Sequence, residues 1–244
     1  MDFSDLRGDA DTLPWTDRPG HVILEGIVGS RAYGLQHEQS DTDKLGIYLA
    51  PSGDFFGLEP VIETARNPWT DEVLHEAGKF CRLALKVNPA VIELLWLDEH
   101  IICTAAGAEL LALRSSFLSA GRCRDAYLGY ARSQFGKLRD RGDGTFSSDL
   151  RGRTAKHARH LARLLHAGFD LWSTGDLQVA VSNPQWFIDF GERVAAGDQV
   201  AAERLIDEYE QLFAKHPSVL ADAPDQPLIE DWLRTVRTRT LAAA

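Results

Sequence analysis

Residues 22–50 read VILEGIVGSRAYGLQHEQSDTDKLGIYLA. An apolar run climbs to Gly29-Ser30, a polar segment follows, and Ser40-Asp41-Thr42-Asp43 opens a second apolar run from Leu45 to Leu49. Apolar runs bounded by turn residues predict strands over 21–28 and 41–50, with a turn and the start of a short helix between them. Side chains alternate between faces in an extended chain, so Asp41 and Asp43 share one face and Thr42 takes the other. Two carboxylates brought to one point repel, which favours protonation of one of them unless a cation lies between. A hard divalent ion with oxygen ligands, Mg²⁺ carrying substrate phosphates, suits that position.

Gly29-Ser30 supplies the other half of the pattern. Glycine adopts backbone angles closed to other residues and lets the chain approach a ligand closely. Ser30 adds a hydroxyl and an N–H where Ser-Arg-Ala-Tyr begins a helix, and helix starts bind phosphate. Alone, Gly-Ser reads as an ordinary turn and Asp-Thr-Asp as a solvated strand entrance. Ten residues apart and bracketed by apolar runs, the two reinforce each other.

Gly29-Ser30 followed by Asp41-Thr42-Asp43 resembles the Gly-Ser and Asp-x-Asp signature of the DNA polymerase β-like nucleotidyltransferase superfamily. The longer strings GSRAYGL and SDTDKLGIY, with KFCRL at 79–83 and NPAVIELL at 88–95, are similar to a bacterial and phage branch of predicted nucleotidyltransferases, some associated with RNA repair. The resemblance covers roughly residues 22–97 through specific motifs and the remaining, helical chain more loosely. It implies a third carboxylate on a strand beside the first pair. Asp71, at the start of the expected strand 71–76, is the first choice for it, and Glu76 is the reserve.

At 244 residues the chain can hold one large domain, or a catalytic domain with a helical appendage. The expected division is a loosely held arm over 1–20, a nucleotidyltransferase domain over 21–105 and a helical domain over 106–244. The fold class expected is α/β in the α+β sense, a small mixed sheet followed by a helical half. The apolar runs are short and interrupted by charge, and the N-terminus is acidic, so neither a membrane span nor a signal peptide is expected and a cytoplasmic location follows. Cys81, Cys103 and Cys123 lack CxxC spacing, which argues against a zinc cluster or disulfide framework.

The net charge of −10 is unevenly spread. Residues 1–100 carry 8 Lys and Arg against 18 Asp and Glu, residues 101–165 carry 12 against 5, and residues 166–244 carry 6 against 13. A basic middle beside an acidic metal-binding half suits a polyphosphate or the end of an RNA strand, and a solvated helix face would give the same count.

Further along, Pro51-Ser52-Gly53 stops the second strand, and Phe55-Phe56-Gly57-Leu58 reads as an apolar loop packed under the sheet. A helix is expected from Ala77, ended by Asn88-Pro89. Glu93, amid Val91, Ile92, Leu94, Leu95 and Trp96, needs a partner if buried; Lys79 or an arginine would serve, and a structural role is expected. Helical periodicity then runs from residue 107, broken by a glycine-rich turn at 141–145. On the helix expected over 151–169, Lys156, Arg159 and Arg163 fall on one face and Ala158, Leu161, Ala162 and Leu165 on the opposing one. The resemblance implies that this basic row meets the triphosphate. A solvated basic helix face is the plainer reading of the spacing alone.

The expected reaction is transfer of a nucleoside monophosphate from a nucleoside triphosphate, such as ATP, to a hydroxyl acceptor. Asp41, Asp43 and Asp71 would hold a pair of Mg²⁺ ions, Gly29 and Ser30 would seat the phosphates, and Asp71 would help activate the acceptor. RNA-repair relatives and the basic middle favour an RNA or tRNA 3′ end as acceptor. The rival expectations are nucleotidylation of a protein or small molecule, within a toxin or defence system, and a non-catalytic nucleotide-binding protein.

Overall fold

The computed structural model of the chain describes residues 18–38, 40–139 and 148–242. The glycine-rich turn expected at 141–145 and most of the expected arm, residues 1–17, lie outside the described residues. A five-stranded sheet has the order β3-β4-β2-β1-β5. β1 (His21–Ile27) runs antiparallel to β2 (Lys44–Leu49) and to β5 (Ile102–Cys103); β2 runs parallel to β4 (Glu72–Glu76), which takes β3 (Thr64–Arg66) antiparallel on its outer edge. The sheet is therefore mixed, and with the helices that follow it the fold is α+β. β3 and β5 have three and two residues, too few for alternation to announce them in the sequence.

Alternation along β2 sorts its side chains between two environments. Leu45, Ile47 and Leu49 enter the main core, while Tyr48 joins Val22, Ala50 and Leu74 in a small apolar cluster on the other face. The main core is continuous: it joins Ile23 and Ile47 of the sheet to Phe80, Leu94, Leu161, Phe213 and Val236.

The short α1 (Gly29–Ala32) follows β1, α2 (Ala77–Ala84) follows β4, and α3 (Pro89–Ile92) is capped by the Asn88 side chain with Pro89 at its first position. The helical half comprises α4 (Ala105–Ala112), α5 (Ala120–Arg139), α6 (Ser148–Thr174), α7 (Pro184–Ala195), α8 (Gln199–Lys215) and α9 (Gln226–Ala242). α6 is its axis, packed by α5, α7 and α8. Leu161, Ala162, Arg163, Leu164 and Leu165 are all buried, so this helix is covered on every side at its middle. α9 returns to the sheet, where Arg237 Nη2 donates to Glu76 Oε1 across 2.8 Å.

Two expectations need correction. Phe55-Phe56-Gly57-Leu58 does not pack under the sheet: Phe56 and Leu58 are 78% and 104% exposed. Ser52 pins the preceding turn to α9, donating to the Arg237 carbonyl across 2.6 Å, and the residues after it project outward. The end of the expected arm is also not loose. Arg18 Nη2 reaches Glu25 Oε2 at 3.1 Å and Glu72 Oε1 at 2.7 Å, tying the chain to two buried carboxylates on β1 and β4, the strands that flank β2.

Candidate active site

Gly29 sits at φ +72°, in the left-handed region that favours glycine, where β1 gives way to α1. A β-carbon at this position would lie 2.4 Å from Asp43 Oδ2, so the absence of a side chain is what lets the Asp43 carboxylate lie against the turn. The backbone repeats the link: Val28 N–H donates to the Asp43 carbonyl across 2.9 Å. The strand expected over 41–50 begins only at Lys44, so Asp41 and Asp43 lie just ahead of β2, and strand alternation does not set the faces they share. Arg31, which the sequence reading passed over, holds that approach: its Nη2 donates to the Ser40 carbonyl at 2.9 Å and its Nε to the Asp41 carbonyl at 3.3 Å.

Parallel pairing of β2 with β4 brings in the third acid. Lys44 is in register with Glu72, and Lys44 N–H donates to the Asp71 carbonyl across 2.8 Å, which places Asp71 beside Asp43. Burial, followed by the Asp71 charge and to a smaller extent that of Asp41, raises the Asp43 carboxyl above the ordinary aspartate value, with Lys156 opposing them. Glu76 is at the other end of β4, about 16 Å away at about 3.3 Å per residue. Its Oε2 caps α2 through the N–H groups of Gly78 and Lys79, and its Oε1 pairs with Arg237. The reserve candidate is thus a helix cap, and Asp71 is the acid beside the Asp-x-Asp pair.

Gly29, Ser30, Asp41 and Asp43 form one wall of a cavity of about 570 Å³, and Lys137, Lys156 and Arg159 line it from α5 and α6. Asp71 is exposed and stands outside that lining. α7 crosses α6 closely at Gly191, where a β-carbon would fall 2.6 Å from Arg159 Cγ, so the aliphatic stem of Arg159 is held between the helices. His160 also lines the cavity; burial and the surrounding cations, Arg163 foremost, push its imidazole down to about 3, and it is neutral at physiological pH. His157 Nδ1 lies 2.8 Å from Gln134 Oε1.

Arg163 lines the cavity too, but differently from Lys156 and Arg159. It is 3% exposed, its Nη1 donates to Glu93 Oε1 at 2.6 Å, and its guanidinium lies 3.6 Å from the centre of the Tyr33 ring. Tyr33 completes the triad by donating its hydroxyl to Glu93 Oε2 across 2.7 Å. Arg163 is therefore the partner that buried Glu93 requires, and its charge is already balanced. Lys79 is instead paired with Glu63. The sequence signal for this triad was the lone carboxylate in an apolar run; nothing in the spacing said which arginine would answer it.

The family profile described as the RNA repair pathway DNA polymerase beta family, RlaP, matches residues 14–189. The chain belongs to the RlaP family. The match spans the sheet, the acidic turn and the basic face of α6, so the elements that build the cavity all lie within the RlaP region. No curated protein matches the chain. RlaP membership makes this a nucleotidyltransferase-like protein of the DNA polymerase β type, tied to RNA repair.

Among the described residues no three carboxylate, imidazole or thiolate groups are gathered closely enough to hold a metal ion by themselves. The donor set nevertheless fits Mg²⁺. That ion is commonly held by one or two carboxylates, with water and substrate phosphate completing its shell. Asp41 and Asp43 offer an all-oxygen, anionic pair in which Asp43 is disfavoured as an anion without a counter-charge. Among the described residues no helix is long and apolar enough to cross a membrane.

Proposed function

We propose that this RlaP-family chain transfers a nucleoside monophosphate from a nucleoside triphosphate to a hydroxyl, with an RNA 3′ end, such as that of a tRNA, as the acceptor. One observation carries the reading: an acidic wall of Asp41 and Asp43 beside Gly29-Ser30 shares a cavity of about 570 Å³ with a basic lining of Lys137, Lys156 and Arg159. A polyphosphate chelating a divalent cation needs both signs of charge at once, carboxylates for the metal and ammonium or guanidinium groups for the phosphate oxygens.

In this scheme Asp41 and Asp43 would hold Mg²⁺, which when bound neutralises phosphate charge; Asp71, expected from the sequence as a third ligand, lies outside the cavity lining. Gly29 and Ser30 bring backbone and hydroxyl against the phosphates, and Lys156 and Arg159 meet them from α6. Arg163, already paired, orders the cavity wall by fixing Tyr33. The acceptor oxygen attacks the α-phosphorus, the bond to the bridging oxygen breaks, and pyrophosphate leaves. Asp71, exposed beside Asp43, takes the acceptor proton in this scheme.

The test offers labelled nucleoside triphosphates with RNA, protein and small alcohols in separate reactions containing Mg²⁺. Label in RNA supports the proposal. Label on protein or alcohol moves the acceptor to the rival class, and triphosphate binding without transfer to any acceptor favours a non-catalytic nucleotide-binding protein.

A further inference from the structure

A second cavity, of about 410 Å³, adjoins the first, and Arg163 lines both. It lies between α6, the start of α7 and the chain leading into α7, and the Val181 N–H donates to the Tyr33 carbonyl across 3.1 Å at the boundary between the two. Its chemistry differs from that of its neighbour. His166, three residues after Arg163 on α6, stands at its floor with the Trp186 and Phe187 rings edge-on at 5.0 and 5.1 Å.

Trp186 is held firmly for an aromatic at a cavity edge. Its indole stacks on Phe190 at 5.4 Å with the planes 13° apart, and 37% of its surface is still exposed. His166 Nε2 is buried and finds no hydrogen-bond partner among the described residues, and burial lowers the imidazole pKa so that the ring stays neutral. One turn on, burial raises the Asp170 carboxyl, which also lines the cavity.

We infer that this second cavity is a nucleobase pocket, in which Trp186 offers the stacking surface and Asp170 a hydrogen-bonding edge, with the neutral His166 ring packed behind Trp186. A nucleobase is a planar heterocycle with donors and acceptors on its rim, and proteins hold such rings by aromatic stacking plus a few polar contacts. The inference rests on reading the adjoining cavity as the phosphate site, because the shared Arg163 wall is what joins a base here to phosphates there. The base belongs either to the triphosphate or to the terminal nucleotide of the RNA acceptor.

Calorimetric titration of the full chain with Mg²⁺ separates these cases, using four probes: each nucleoside triphosphate, the matching nucleoside, inorganic tripolyphosphate, and a short single-stranded RNA with a free 3′-hydroxyl. Trp186→Ala is expected to weaken triphosphate and nucleoside binding tenfold or more, to leave tripolyphosphate binding unchanged, and to be rescued by Trp186→Phe. A tenfold loss confined to the RNA assigns the base to the acceptor. Wild-type affinity of Trp186→Ala for every probe overturns the inference. Failure of the wild-type chain to bind tripolyphosphate, with the nucleoside loss still seen, sinks the phosphate reading and leaves the base pocket standing. Should Trp186→Ala lose its native melting transition, Asp170→Asn is read instead: a changed ranking among the four triphosphates or RNA ends supports the pocket, and an unchanged ranking overturns it.

Discussion

Arg163 Nη1 donates to Glu93 Oε1 across 2.6 Å, with the two side chains only 3% and 1% exposed, joining the middle of α6 to the turn that follows α3. This buried pair fastens α6 to that turn, and Tyr33, eight residues before Asp41, completes it by donating its hydroxyl to Glu93. Removing one member leaves the other charge buried without a counter-ion, which costs about 3–5 kcal/mol. Glu93→Gln is therefore expected to lower stability by about that amount in denaturant melts, whereas Tyr33→Phe, which removes a single hydrogen bond to a charged group, costs about 1.5–3 kcal/mol. Equal, small losses for both would contradict a buried ion pair at this position.

Asp43→Asn separates activity from stability. Loss of an electrostatic group at the reacting centre is expected to reduce nucleotidyl transfer by at least about 100-fold in the labelled-nucleotide assay. Burial and the neighbouring acids raise the Asp43 carboxyl above its ordinary 3.8, so the folded chain binds this proton more tightly than the unfolded chain does. The ionised carboxylate then costs stability at pH values above its folded pKa, and the cost fades as pH falls toward about 4. Asp43→Asn should accordingly melt above wild type at pH 7 without added divalent cation, and the gap should close near pH 4. A variant that melts below wild type at pH 7 would be the opposite result.

Lys156 lowers the Asp43 carboxyl pKa across the cavity. Lys156→Met removes that attraction, so the acid limb of the pH–rate profile should move to higher pH. The same substitution takes away a phosphate partner and should raise the KM for the triphosphate about tenfold, the equivalent of about 1.4 kcal/mol. A KM change with no movement of the acid limb would mean that Lys156 acts on the nucleotide alone.

Gly29→Ala tests the turn. The backbone strain of φ +72° costs about 1–2 kcal/mol for an L-residue. The added methyl would also fall 2.4 Å from Asp43 Oδ2 and push the carboxylate away. A displacement on the order of 1 Å can cost about 100-fold in rate, so activity should fall far more than melting temperature does.

Asp71 and Glu76 should respond in opposite ways. Glu76→Gln weakens the cap of α2 and the pair with Arg237, so it should lower the melting temperature and leave triphosphate binding intact. Asp71→Asn, at an exposed position, relieves Asp43 of a like charge, so it should not lower the melting temperature at pH 7, and it should reduce transfer. Kinetics and melts on the two variants decide which acid belongs to the site.

The sequence alone carried the acidic half of the site, because a strand–turn–strand unit is local. Gly29-Ser30 and Asp41-Thr42-Asp43 lie within fifteen residues, and turn chemistry acts over that range; strand alternation, expected to pair the two aspartates, begins only after them at Lys44. The basic stripe Lys156, Arg159, Arg163 was legible for the same reason, since helical spacing is a local property. What each of those three cations does was not. Only packing of α6 against the turn after α3 turned Arg163 inward to Glu93 while leaving Lys156 and Arg159 on the cavity lining. The choice between Asp71 and Glu76 likewise waited on the parallel register of β4 with β2, a pairing between segments far apart in the chain. Periodicity states which side chains share a face of one element; which face meets which neighbour depends on the burial of the whole core, and that is settled only when the chain closes on itself.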